Sequence, residues 1–151
     1  MVDITGKGDV FRAARARGFI RLTGESLRRI REGKVEKGDV YSVARVAAIL
    51  AVKRTPELVP LCHPIPITGV EVDIRALDDG VEVEVAVKSV GKTGVEMEAL
   101  AGVSAALLAV WDMVKKYEKD ERGQYPHTKI ERIEVVEKEK ERLDGFSVTG
   151  S

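Results

Sequence analysis

Two runs of strict alternation, Val70-Glu71-Val72-Asp73-Ile74 and Val81-Glu82-Val83-Glu84-Val85, stand either side of Asp78-Asp79-Gly80. A period of two puts branched apolar side chains on one face and acids on the other, and the turn residues between predict an antiparallel hairpin. A sheet with one apolar face has to cover it, and helices are the available cover. Thr23 predicts the N-cap of a short helix through Arg31, stopped by Gly33. Asp39 predicts the cap of a second helix through about Lys53, and Thr55-Pro56 a brief helical turn. A long helix is expected from about Val95 to Tyr117, with further strands over Ala14–Leu22 and Lys129–Val136.

The resulting order is strand, helices, strand, strand, helix, strand, which is the split βαβ arrangement of ferredoxin-like folds. The expected class is α+β: a four-stranded antiparallel sheet with helices on one face, the other face wet or covered by another subunit. The 151 residues suit one domain, with a mobile N-terminal arm over about 1–13 and a loose polar C-terminal tail over about 138–151.

Lys+Arg and Asp+Glu are each 25, so no excess positive charge favours nucleic acid, whose binding rests on phosphate neutralisation. The longest uncharged stretch, Ala99 to Trp111, is alanine-rich and reads as a buried helix rather than a membrane span. The single cysteine, Cys62, excludes an intrachain disulfide, and Met1-Val2-Asp3-Ile4 lacks the basic-then-apolar pattern of a signal peptide. A cytoplasmic protein that binds neither nucleic acid nor membrane is expected.

Leu61-Cys62-His63-Pro64-Ile65-Pro66 has to be irregular, because two prolines remove donors and push their neighbours extended. It presents either a rigid imidazole for hydrogen bonding or proton transfer, or a histidine that satisfies loop carbonyls. Cys62, His63 and His127 cannot close a zinc shell, so no metal site is expected. Gly91-Lys92-Thr93-Gly94 opens the long helix; it is an ordinary turn or a place where free N–H groups meet an anion, and it lacks P-loop spacing. Glu96 and Glu98 suit a helix N-terminus in any case and could also grip the polar edge of a base-like ring. Asp112, with Lys115 and Lys116 within reach on one face, is either a surface acid–base pair or a functional group. Lys53 and Arg54 make a doubly positive spot at a helix end, which fits either the helix dipole or phosphate.

Taken together, Lys53-Arg54-Thr55, the run from Leu61 through Val70, the run from Gly91 through Leu100 and Asp112-Met113-Val114-Lys115 resemble the cyclic pyranopterin monophosphate synthases of molybdenum cofactor biosynthesis. The resemblance extends from about residue 1 to about residue 136. It implies a ferredoxin-like fold and a lyase that converts (8S)-3′,8-cyclo-7,8-dihydroguanosine 5′-triphosphate to cyclic pyranopterin monophosphate with release of pyrophosphate. It further implies a catalytic group of Lys53, Asp112 and Lys115, and substrate binding by Leu61, Cys62, His63, Met97 and Glu98, with Glu96 close by. Arg21 is an additional candidate for the triphosphate. No prosthetic group is implied, and Mg²⁺ could accompany the triphosphate. The family's glycine-rich, lysine-containing tail has no counterpart in Lys138-Glu139-Lys140-Glu141-Arg142, so no tail residue is assigned.

The resemblance also implies dimers assembling into a hexamer. Glu98 and Asp112 lie on one expected helix, fourteen residues and so roughly 21 Å apart, too far for one compact pocket. Two antiparallel copies sharing their sites would resolve this, with Ala101, Gly102, Ser104, Ala105 and Ala106 either permitting their approach or packing the helix on its own sheet. Two other functions compete with the enzyme. A ferredoxin-like small-molecule sensing module without turnover would not need Lys53, Asp112 and Lys115 together. An RNA-binding domain would want exposed sheet aromatics and net positive charge.

Overall fold

The computed structural model describes residues 1–143 and contains β1 (Val10–Arg21), α1 (Gly24–Glu32), α2 (Val40–Lys53), α3 (Thr55–Leu58), β2 (Ile67–Ala76), β3 (Gly80–Gly91), α4 (Glu96–Glu118) and β4 (Lys129–Glu141). The strands form one antiparallel sheet in the order β2-β3-β1-β4, the ferredoxin-like arrangement. The helices cover one face. Ala14, Ala16 and Ile20 of β1 and Val81, Val83, Val85 and Val87 of β3 are buried beneath Ala99, Val103, Leu107 and Val110 of α4. Alternation along each strand makes this layer, and burial of the branched side chains stabilises it at about 25 cal/mol per Å².

The helix caps form as the residue types dictate. Thr23 Oγ1 accepts from Ser26 N, Asp39 accepts from Ser42 N, and Gly33 ends α1 in the left-handed region. Gly102 lets α2 and α4 approach closely, since a Cβ there would meet Val52 Cγ2 at 2.9 Å and Val85 Cγ1 at 3.1 Å. Gly102 and Ala106 thus pack within the chain, whereas Ala101, Ser104 and Ala105 stay half-exposed. One side of α4 is buried by this packing, and Leu108 on the other remains exposed.

The open face is a lattice of paired charges. Arg15 meets Glu84 at 3.0 Å and also Glu137, Arg17 meets Glu134 at 3.2 Å, and Arg21 meets Glu131 at 2.8 Å. Its central aromatic, Phe19, is only 2% exposed and lies beneath the guanidinium groups of Arg21 and Arg132. A face of this kind lacks the stacking platform an RNA-binding sheet uses.

Two boundaries differ from expectation. Val10–Ala13, assigned from the sequence to a mobile arm, pair with Gly91–Lys88 and extend β1. Lys138–Glu141, assigned to a loose tail, extend β4 along β1. Because β4 is an edge strand with mostly exposed side chains, its polar end shows no apolar alternation to reveal it. The tail from residue 144 onward lies outside the described residues.

Candidate active site

The first turn of α4 and the proline-rich loop before β2 enclose a cavity of about 430 Å³. Leu61, Cys62, His63, Glu96, Met97 and Glu98, all implied by the resemblance as substrate contacts, line it together. Its remaining wall comes from Thr93, Gly94 and Ile65 and from the N-terminal residues Met1, Val2, Ile4 and Lys7, which the sequence alone left as an arm. His63 Nε2 donates to the Val2 carbonyl at 2.7 Å, so the imidazole does satisfy a backbone acceptor while lining the cavity.

The cavity floor is acidic and partly dry. Glu98 is 2% exposed, and burial together with the neighbouring Glu96 charge pushes its carboxyl above the usual range. When protonated, such a carboxyl donates as well as accepts. Burial opposes ionisation of Glu96 too, but Lys138 Nζ at 2.8 Å and nearby Arg12 hold its carboxyl below the ordinary range. Burial and then the Glu98 charge raise the Cys62 thiol, which disfavours the thiolate. Gly94 admits the folded-back Glu96, since a Cβ there would lie 2.3 Å from Glu96 Oε2.

Beside this turn lies Arg12, a residue the sequence reading passed over. It is 7% exposed and donates to the Lys92 carbonyl at 3.4 Å, while its Nε has no partner among the described residues. Helix α4 has no side-chain cap at its N-terminus. A buried guanidinium next to uncapped N–H groups is suited to an anion. The signal is an arginine two residues before Ala14 on the face formed by Ala14 and Ala16, hidden because the sequence pattern predicts the strand only from Ala14. Arg21, by contrast, sits on the open face, paired with Glu131 and with Asp79 at 3.2 Å. It is at the opposite end of β1 from the cavity, opposite Gly80 rather than Gly91.

The second cluster is at the far end of α4. Asp112 Oδ1 lies 3.1 Å from Lys115 Nζ, and Asp112 Oδ2 lies 3.0 Å from Lys37 Nζ. Hydrogen bonds from Lys37 and Lys115 hold the Asp112 carboxyl below the usual carboxylate range. Within one chain Lys37 is the second lysine beside Asp112, and Lys53, which the resemblance puts in the catalytic group, is not among its partners. Lys53 ends α2 at the opposite end of the helix pair, adjoining Val52, which packs at Gly102. It is exposed and takes part in no ion pair among the described residues. Lys37 was overlooked because Lys37-Gly38-Asp39 reads as the lead-in to a helix cap. No group of three His, Cys, Asp or Glu residues able to hold a metal occurs among the described residues.

The two clusters are thus brought to opposite ends of one continuous helix, with Glu98 buried and Asp112 exposed. Comparison with known proteins matches the sequence to one family. The MoaC family model matches residues 1–141. A relative from Aeropyrum pernix is 64% identical over 140 residues, covering 93% of this chain and 96% of the relative. One from Methanosarcina mazei is 62% identical over 138 residues, covering 91% and 88%, and one from Pyrococcus horikoshii is 60% identical over 140 residues, covering 93% and 88%. All three bear the name "Probable cyclic pyranopterin monophosphate synthase". Because the family model matches residues 1–141 of a 151-residue chain, the chain belongs to the MoaC family.

Proposed function

We propose that this chain is a cyclic pyranopterin monophosphate synthase of molybdenum cofactor biosynthesis, acting as a phosphorus–oxygen lyase on the cyclised GTP-derived triphosphate. The observation that carries the reading is the convergence of Leu61, Cys62, His63, Glu96, Met97 and Glu98 on one cavity. In this reading the cavity holds the ring system. Glu98 grips its polar edge, His63 orients it, and Arg12 with the α4 N-terminus takes negative charge, with Lys53 a further cation at that end of the helix pair.

Proton transfer belongs to Asp112, Lys115 and Lys53, the group the resemblance implies, with Lys37 beside Asp112 as a further candidate. Opening the purine and rebuilding a pterin hydrolyse and re-form carbon–nitrogen bonds, and each step moves a proton. Asp112, held ionised by two ammonium groups, accepts protons; the lysines supply them and stabilise phosphate charge. In the closing step a substrate hydroxyl attacks the α-phosphorus and loses its proton to a base. The bond from that phosphorus to the bridging oxygen breaks, and pyrophosphate leaves with the electron pair. No prosthetic group takes part, and any Mg²⁺ arrives on the phosphates as part of the substrate.

The distance between the clusters makes the site a product of two chains. Glu98 and Asp112 are roughly 21 Å apart along α4, whereas one nucleotide has to reach both. A second, antiparallel copy brings Asp112, Lys115 and Lys37 of one chain to the Glu98 cavity of the other, and dimers of this kind build a hexamer. The exposed Val43, Val46 and Leu50, which share one face of α2 by their spacing, and the exposed Leu108 of α4 support such a contact. Incubation with the cyclised triphosphate tests the activity. The expected products are cyclic pyranopterin monophosphate and one equivalent of pyrophosphate; binding without release of pyrophosphate would mark a sensing module instead.

A further inference from the structure

The loop that carries Lys37 is anchored in the core by Val35, 7% exposed, but Glu36 and Lys37 beyond it are exposed. It spans Lys34 to Lys37 between two glycines with positive φ, Gly33 at 68° and Gly38 at 122°. The Lys37–Asp112 pair is exposed on both sides, at 47% and 58%, and exposed ion pairs contribute too little to fix a loop. A lysine stem also has many rotamers. Something else has to set where this ammonium stands.

That something is visible one turn further along α4. The Tyr117 hydroxyl accepts a hydrogen bond from Glu36 N at 3.0 Å, at the residue immediately before Lys37. The Arg29 guanidinium lies 4.2 Å from the centre of the Tyr117 ring and donates to the Lys34 carbonyl at 3.2 Å. Lys116 pairs with the Glu36 carboxylate. Tyr117 is half-buried against the core, so its ring is a fixed post for the loop. We infer that Tyr117 is a positioning residue: through Glu36 N, and with Arg29 stacked on its ring, it places the Lys37 ammonium against Asp112. The aromatic ring anchors the backbone, and the backbone aims the lysine.

The consequence for turnover rests on the proposed role of Lys37, but the positioning itself can be read without substrate. Titration of the Asp112 carboxyl by carbon NMR reports the nearness of Lys37, with Lys115 at 3.1 Å as the constant neighbour. Lys37→Ala should shift that titration upward. Tyr117→Ala should shift it the same way, and in a Lys37→Ala background should add nothing. Tyr117→Phe, which keeps the ring under Arg29, should shift it less than Tyr117→Ala and guards against a misfolded variant. In turnover, Tyr117→Ala should lower kcat about tenfold with KM nearly unchanged. An Asp112 titration unmoved by Tyr117→Ala, or moved equally with and without Lys37, overturns the positioning role. A shifted titration with unchanged kcat upholds the positioning and instead overturns the catalytic role of Lys37.

Discussion

Asp112 is held between two ammonium groups from different parts of the chain, Lys115 one turn along its own helix and Lys37 from the loop before α2. Lys37 also donates to the Asp112 main-chain carbonyl at 3.1 Å. A carboxylate flanked in this way stays ionised at the surface.

Substitutions at this cluster should therefore act on the chemical step. Lys37→Ala and Lys115→Ala should each lower kcat by at least about a hundredfold with the fold intact. Lys53→Ala, which removes the cation at the Glu98 end of the helix pair, should abolish turnover as well, because the shared site brings it to the partner's Asp112. Steady-state kinetics on folded variants decide it, and an unaffected kcat in Lys37→Ala would remove that residue from the chemistry.

Buried Glu98 predicts a dependence of stability on pH. Its folded-state carboxyl titrates above the ordinary value of 4.5, so the protonated form is favoured by folding. The stability it contributes is present below 4.5 and is lost as pH rises through the raised value. Glu98→Gln removes that loss. Urea denaturation should show the variant gaining on the wild type as pH increases from about 4 to about 7. A difference that stays constant with pH would mean that Glu98 carries no such penalty.

At the other end of α4, Glu118 behaves oppositely. It is 3% exposed, and although burial opposes its ionisation, Ser26, Thr128 Oγ1 at 2.6 Å and Thr23 Oγ1 and N at 2.6 and 3.0 Å hold its carboxyl below the usual range. One side chain thereby ties the end of α4 to the start of α1 and the approach to β4. Glu118→Ala strands several buried donors and should cost about 2–4 kcal/mol in chemical denaturation. The wild-type contribution is present above 4.5 and falls away as pH drops through the lowered value. A loss well under about 1 kcal/mol would mean water replaces the carboxylate.

Much of this was legible in the residues. The alternation of Val81–Val85, the Thr23 and Asp39 caps and the Asp78-Asp79-Gly80 turn each follow from local rules, and the sheet assembled from them has the expected order. The cavity residues were legible only through resemblance, because Leu61-Cys62-His63 and Met97-Glu98 are far apart in the chain and converge by tertiary packing. Lys37 and Arg12 escaped for different reasons. Lys37 is recognisable only once loop and helix end are side by side, and Arg12 only once β1 is known to begin at Val10. The polar end of β4 escaped because an exposed edge strand needs no apolar period.

The central claim is that chemistry requires Glu98 and Asp112 together and that two chains supply them. Subunit mixing tests it most directly. Glu98→Ala and Asp112→Ala, each inactive alone, are combined under conditions that exchange subunits, and pyrophosphate release from the cyclised triphosphate is measured. Sharing predicts recovered activity of up to about a quarter of wild type, since random hybrids restore half of the sites in half of the dimers. No recovery, with exchange demonstrated independently, would contradict it and place both residues in a site built by a single chain.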